Sequence, residues 1–352
     1  MDNRYFSEKV VKWYERNKRD LPWRETRDPY KIWLSEIILQ QTRVSQGMPY
    51  YLRFVEKFPT VADLAYASEQ EVLRLWQGLG YYTRARNLHK CAKKIVSDYK
   101  SVFPDSFDEL KKLPGIGDYT AAAIASIAYQ EPIAVVDGNV FRVLSRIFGI
   151  ETEINSPAGK KDFTDLANKL ISRKYPEKHN QAMMEFGALH CTPKNPACTD
   201  CVFTDQCFAY KKNLQDALPV KAKAKSARKR YFYYFIFRKG NSLLMKKRQE
   251  KDIWHGLYDF YLIERKKATK IESLLEDTLL QDLNLKVDDV DISAPYKHVL
   301  SHQVIISKFM IINSKKIPSF DKKTLRYYSP TKIAELPKPV LISRFLNEYN
   351  LL

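Results

Sequence analysis

Two carboxylates and four cysteines carry the chemistry open to this chain. Glu36 lies in PYKIWLSEIILQQTRV, a helical stretch apolar on nearly every side, with Ile32, Trp33, Leu34, Ile37, Ile38 and Leu39 around it. Desolvation penalises the anion of a carboxyl held in such company, so it keeps its proton and suits a general acid. A buried Glu paired with Arg is the bland alternative. Asp137, in AVVDGNVFRVLSRIFGI, stands where a helix begins, and capping alone accounts for an Asp there. Together, one protonated and one ionised carboxyl form the pair that cleaves a glycosidic bond: a proton for the leaving group and negative charge beside the sugar cation.

Cys191, Cys198, Cys201 and Cys207 follow the spacing C-x6-C-x2-C-x5-C and are four of the five cysteines. Zinc ribbons usually present two C-x2-C knuckles, whereas only Cys198 and Cys201 form one here; structural zinc stays open as the alternative. Four thiolates in a single loop suit a [4Fe-4S] cube, which takes one cysteine per iron. Lys194 adds positive charge to the loop. Cys91 sits on a helical pattern among apolar neighbours and reads as a small core residue.

The elements that must hold these groups differ between the two halves of the chain. Up to about Tyr210 the periodicity is helical; Val140, Val143, Leu144 and Ile147 form one apolar stripe, and Ser106 with Glu109 predicts a capping box. In LKKLPGIGDYTAAAIASIAY, Gly115 and Gly117 permit a tight turn ahead of a helix N-terminus, a pairing that binds phosphate without reading sequence. An ordinary inter-helix turn is the plainer reading. From Lys211 the stretch KKNLQDALPVKAKAKSARKR predicts a solvated basic linker. RYFYYFIFRKGNSLLMKK then predicts a hairpin about Lys-Gly-Asn, and HVLSHQVIISKFMII a further strand. A chain of 352 residues exceeds what one core organises, so the expected domains are 1–210, mainly α, and 230–352, α+β, joined by the linker 211–229.

Charge narrows the partners. Lys and Arg number 59 against 41 Asp and Glu, a formal +18, which points to a polyanion with nucleic acid first. The N-terminus lacks the apolar core of a signal peptide, and no stretch is apolar enough to span a bilayer, so a reducing cytoplasm with unpaired thiols is expected.

The cysteine spacing resembles the cluster loop of the helix-hairpin-helix DNA glycosylases related to endonuclease III, and residues 106–125 resemble their hairpin. Within that superfamily, LSEIILQQT and VDGNV closely resemble the adenine DNA glycosylases of the MutY type. The resemblance implies one [4Fe-4S] cluster in the 191–207 loop, Glu36 protonating adenine at N7, and Asp137 as sugar-cation stabiliser or nucleophile, with Tyr119 and Asn139 in support. Where bifunctional relatives carry a Schiff-base lysine, this chain has Tyr119; a phenol forms no imine, so hydrolysis to an abasic site is implied. It further implies that Gln41 and Thr42 contact stretched duplex, that Leu79 and Tyr81 of GLGYYTR enter the base stack, and that Gly115 and Gly117 hold phosphate. Trp23, Arg24 and Gln181 would line the adenine pocket. The tail resembles the family's Nudix-like domain through WHGLYDF, without a catalytic box of glutamates. Its Leu300, Ser301 and His302 stand where the family carries Phe-Ser-His, with Ser301 placed to bond 8-oxoguanine. The implied substrate is adenine opposite 8-oxoguanine or guanine in duplex DNA, processed by a monomer in the cytoplasm beside the nucleoid. Two rivals remain: a thymine-mismatch or oxidised-pyrimidine glycosylase, and a redox-sensing DNA-binding protein that breaks no bond.

Overall fold

The computed structural model describes residues 2–222, 226–281, 283, 285–312 and 324–352. Its packing forms two compact units, Met1–Tyr66 with Asn87–Lys223 and Ala67–Arg86 with Ala224–Leu352.

Regular structure in the first unit is helical throughout the described residues. The Asn3–Asn17 helix packs on Pro176–Leu189, which also packs on Gly138–Phe148; Phe6, Phe163, Phe186 and Phe203 are fully buried in this core. The Pro29–Leu39 helix, which carries Glu36, starts from an Asp28 cap whose carboxylate accepts from the Tyr30 N–H at 2.9 Å, with Pro29 at its first position. It lies against Asp118–Tyr129, whose alanines at 121, 123 and 125 are wholly buried. Small side chains there let the two backbones approach, which brings Tyr119 to Glu36.

Two local expectations are corrected. Ser106 makes no capping bond: the helix it precedes is a single turn, Phe107–Leu110, and the Phe107 N–H is taken by the Glu131 carboxylate at 2.8 Å. A complete capping box forms instead between Ser68 and Glu71, ahead of Glu69–Leu75. The start of the expected linker is also packed. Leu218 is buried in the helical core, its carbonyl accepts from Arg146 Nε at 3.1 Å, and the Val220 carbonyl accepts from the Ile154 N–H at 3.1 Å. The apolar side chain among the cations supplies the reason. Lys223–Lys225 of that linker lie outside the described residues.

In the second unit the strands are β1 (Arg228–Ile236), β2 (Arg238–Lys239), β3 (Ser242–Lys247), β4 (Tyr258–Asp259), β5 (Tyr261–Arg265), β6 (Val290–Ile292), β7 (Tyr296–Val299), β8 (Gln303–Ile312) and β9 (Leu325–Tyr328). One sheet runs β5-β1-β8-β6 with β7 also on β8; the other runs β2-β3-β4 with β9 on β3. β1 and β8 are parallel over Arg228↔Gln303 to Ile236↔Ile311. A hairpin does turn at Gly240-Asn241, where Gly240 takes φ 56°, but it joins β2 to β3, and the aromatic run β1 belongs to the other sheet. The expected single strand after His298 is two: β7 and β8 pair across a turn of Leu300, Ser301 and His302, with the Leu300 N–H donating to the Gln303 carbonyl at 2.8 Å. The Val340–Glu348 helix closes on this sheet through Phe345, stacked on Phe309 at 3.9 Å. Ala67–Arg86 is tied into the same unit by Gln77, which bonds Ser343 Oγ at 3.2 Å and the Lys338 N–H at 3.0 Å, and by Arg86 to the His255 carbonyl at 2.7 Å. No described helix is long and apolar enough to cross a membrane.

Candidate active site

A cavity of about 740 Å³ in the helical unit is lined by Glu36, Tyr119, Asp137 and Asn139, and also by Trp23, Arg24, Thr42 and Gln181. This volume is ordinary for a small-molecule site. Glu36 is buried (8% exposed), and its carboxylate accepts from the Tyr119 hydroxyl at 2.6 Å. Burial, with a smaller push from the Asp137 charge, raises Glu36 to about 7, against the opposing Tyr119 hydrogen bond and Arg24. Near neutral pH it therefore keeps its proton far more readily than an ordinary carboxyl does. Burial pushes the Tyr119 hydroxyl well above its usual range, so it stays a donor.

Asp137 does two things at once. One oxygen caps Gly138–Phe148, accepting from the Asn139 and Val140 N–H groups at 2.9 and 2.8 Å; the other accepts from Asn139 Nδ2 at 2.8 Å. Burial pushes it up and these bonds pull it back. The cap therefore fixes the Asp137 carboxyl at the wall of the cavity that also holds Glu36. Burial dominates at Glu36, while at Asp137 three hydrogen bonds to the carboxylate oppose it, a difference of surroundings of the kind that separates an acid from a charge stabiliser.

The walls hold residues the sequence reading passed over. Glu185, almost wholly buried, takes Arg19 through three N–H groups at 2.6 to 2.9 Å and Arg24 through two at 2.8 and 3.0 Å. Burial alone would raise Glu185, but the arginine bonds hold it down at about 2. Its position four residues after Gln181 on one helix was the available signal. Arg142 donates to Asn139 Oδ1 at 2.8 Å and to the carbonyls of Cys191 and Gly187 at 2.7 Å, tying Asp137's partner to the first cysteine.

The remaining expected site residues lie elsewhere. Gln41 takes a left-handed φ of 53° and does not line the cavity. At the hairpin, Gly115 has φ 78° and a Cβ there would meet Asn87 Cβ at 2.7 Å, whereas Gly117, the residue before Asp118–Tyr129, has nothing within 4 Å of that position among the described residues. In the second unit Leu79 is buried while Tyr81 is exposed (41%) at φ 48°, so Tyr81 alone of that pair is presented. The Tyr81 hydroxyl donates to Ser301 Oγ at 3.0 Å, and Ser301 lies 3.1 Å from His302 Nδ1.

The four cysteines are unpaired as disulfides. Arg146 approaches Cys191 Sγ at 3.5 Å and the Phe203 N–H donates to Cys201 Sγ at 3.4 Å. Burial pushes the Cys201 thiol up to about 12 and raises Cys191 and Cys207, with contributions from the neighbouring cysteines. Among the described residues no three His, Cys, Asp or Glu side chains converge on one metal ion. Cys191, Cys198 and Cys201 are partly exposed and Cys207 is buried, an all-thiol donor set whose chemistry suits a [4Fe-4S] cube.

Residues 34–170 match the HhH-GPD superfamily base excision DNA repair protein family, and 233–348 match the NUDIX domain family. An adenine DNA glycosylase of Buchnera aphidicola subsp. Baizongia pistaciae is 35% identical over 95% of this chain and 94% of its own. The chain belongs to the adenine DNA glycosylase family. The human adenine DNA glycosylase is 42% identical over 60% of this chain and 41% of its own length. Among solved structures, a thermostable thymine-DNA glycosylase superposes with TM-score 0.56 at 30% identity, covering 60% of this chain and 97% of that one. Endonuclease III trapped covalently on DNA superposes with TM-score 0.52 at 25% identity, covering 61% and 99%. As a member of the adenine DNA glycosylase family the chain is a hydrolase of N-glycosyl bonds. The superfamily match encloses Glu36, Tyr119 and Asp137; Gln181 and the four loop cysteines, Cys191 to Cys207, lie beyond it.

Proposed function

We propose that this chain is a monofunctional glycosylase that excises adenine mispaired with 8-oxoguanine, or with guanine, and leaves an abasic site. The observation that carries the reading is a buried carboxyl, Glu36, bonded to a phenol rather than beside an amine, in one cavity with the capped Asp137. Duplex adenine reaches such a cavity only when the nucleotide is turned out of the stack. Glu36 delivers its proton to N7, the C–N bond weakens, and Asp137 stabilises the sugar cation, or captures it, until water completes hydrolysis. Asn139 fixes the Asp137 oxygens and Tyr119 fixes Glu36. Trp23, Arg24 and Gln181 form the base pocket; Gln41, Thr42 and Tyr81 hold the distorted duplex; Ser301 reads the lesion opposite. Cys191, Cys198, Cys201 and Cys207 would hold one [4Fe-4S] cluster, which would supply structural order to the loop when bound, while Lys194 supplies the loop's positive charge. The helical part, the basic stretch 211–229 and the Nudix-like part 230–352 are the working domains, and the enzyme acts as a monomer on chromosomal DNA in the cytoplasm.

The hairpin glycines separate folding from binding. Gly115→Ala is expected to cost about 1–3 kcal/mol of stability through its left-handed φ and the Asn87 contact. Gly117→Ala meets open space and should cost only the small penalty of a poorer helix cap, while weakening duplex binding several-fold, because the added methyl stands where phosphate approaches. Fluorescence anisotropy beside thermal melts checks both.

Thymine removal is a second reading, favoured by the likeness to the thymine-DNA glycosylase. That likeness covers 97% of the other chain and 60% of this one, so it gives no counterpart to the Nudix-like part. Product analysis on A:8-oxoguanine, A:G and T:G duplexes decides: release of adenine, with strand breakage only after alkali, is the expected result. Breakage without alkali would contradict the role given to Tyr119.

A further inference from the structure

Tyr14 belongs to no part of the machinery described so far and does not line the cavity, yet it bears directly on how the cavity reads a base. It is buried (6% exposed) on the Asn3–Asn17 helix, and its hydroxyl donates to Gln181 Oε1 at 2.8 Å. The Arg24 guanidinium lies over its ring at 5.5 Å, and Arg24 is itself clamped by Glu185. A primary amide has two faces of opposite character, an acceptor oxygen and a donor NH2, and which one meets a ligand depends on what holds the other. With Oε1 taken by the phenol, Gln181 turns its NH2 to the cavity it lines.

We propose that Tyr14 is a positioning residue for base selection: by holding Gln181 Oε1, it makes Gln181 a hydrogen-bond donor to N1 of the bound purine. The inference rests on the reading of the cavity as a base pocket. Of the ring acceptors of adenine, N7 meets the Glu36 proton and N3 lies on the sugar side with Asp137, which leaves N1 for a donor. Guanine and hypoxanthine carry a proton on N1, so they oppose donor to donor. The Gln181 amide therefore disfavours purines with a donor at N1 by leaving their N–H unmatched, a stronger basis for discrimination than shape.

The test is single-turnover release of adenine and of hypoxanthine, each opposite 8-oxoguanine, by the full chain and by Tyr14→Phe, which removes one oxygen and little else. With the phenol gone the amide is free to rotate and present Oε1. Adenine release is expected to fall about three- to tenfold, the range of one neutral hydrogen bond, while hypoxanthine release holds or rises, so the selectivity narrows. In Gln181→Leu the same Tyr14→Phe change should no longer move the ratio, since the coupling runs through the amide. Equal losses on both bases, or a ratio that shifts as much in the Gln181→Leu background, would overturn the proposal and leave Tyr14 a packing residue. If the unaltered chain releases neither purine, the base-pocket reading itself has failed, which is a different outcome from an unchanged ratio.

Discussion

Glu36→Gln is expected to lower single-turnover adenine release by about 10²- to 10⁴-fold, the span of a lost general acid, while duplex binding survives. The amide keeps the shape and still accepts from Tyr119, so packing around the Pro29–Leu39 helix is preserved. Stability should move the other way. A carboxyl raised in the folded chain to about 7 binds a proton that the unfolded chain has already lost above its ordinary value of 4.5. Stability therefore falls as pH rises between those two values, and a neutral Gln removes that loss. Above about pH 7 the variant should melt no lower than the parent, which separates lost chemistry from lost structure. Anisotropy, thermal melts and rapid-quench kinetics on one preparation supply all three readouts.

Asp137→Asn is expected to cost about 10²- to 10³-fold in the same rate, the scale of removing one preorganised electrostatic contact to developing charge. This substitution is informative because Asn caps a helix about as well as Asp. The bonds to the Asn139 and Val140 N–H groups can persist, so Gly138–Phe148 and its core face stay in place. What disappears is the negative charge facing the cavity, together with the bond from Asn139 Nδ2, which an amide NH2 in that place cannot accept. If capping were the whole role of Asp137, the variant would be nearly as fast as the parent. A large loss of rate with an unchanged melt assigns the charge to the sugar cation.

Much of this site was legible in residue order because the relevant signals are local. The apolar surroundings of Glu36 are its own helix neighbours, and the Asp137 cap is made by the two N–H groups that follow it. Pairings across long separations were not legible. Tyr14 meets Gln181 and Arg19 meets Glu185 across more than 160 positions, so no periodicity announces them. Nor could spacing tell that Ala67–Arg86 folds with the C-terminal strands, since that grouping depends on Gln77 and Arg86 reaching residues far along the chain. The hairpin turn at Gly240 was read correctly, yet its flanking runs went to different sheets, because β1 finds a better partner in β8 than in the strand next to it. At Ser106 the pattern was present and the bond was not: the helix that follows is one turn long, and its first N–H is held by Glu131 from a later loop. Local codes fix what a segment prefers; non-local groups decide whether the preference is used.

The central claim is that a carboxyl kept neutral by burial protonates the departing base. Its most direct measurement is the single-turnover rate of adenine release from an A:8-oxoguanine duplex between pH 5 and 9, at constant salt and saturating enzyme. The prediction is a rate that declines as pH rises through about 7, as Glu36 loses its proton. A rate that stays level to pH 9 while Glu36→Gln remains inactive would contradict it.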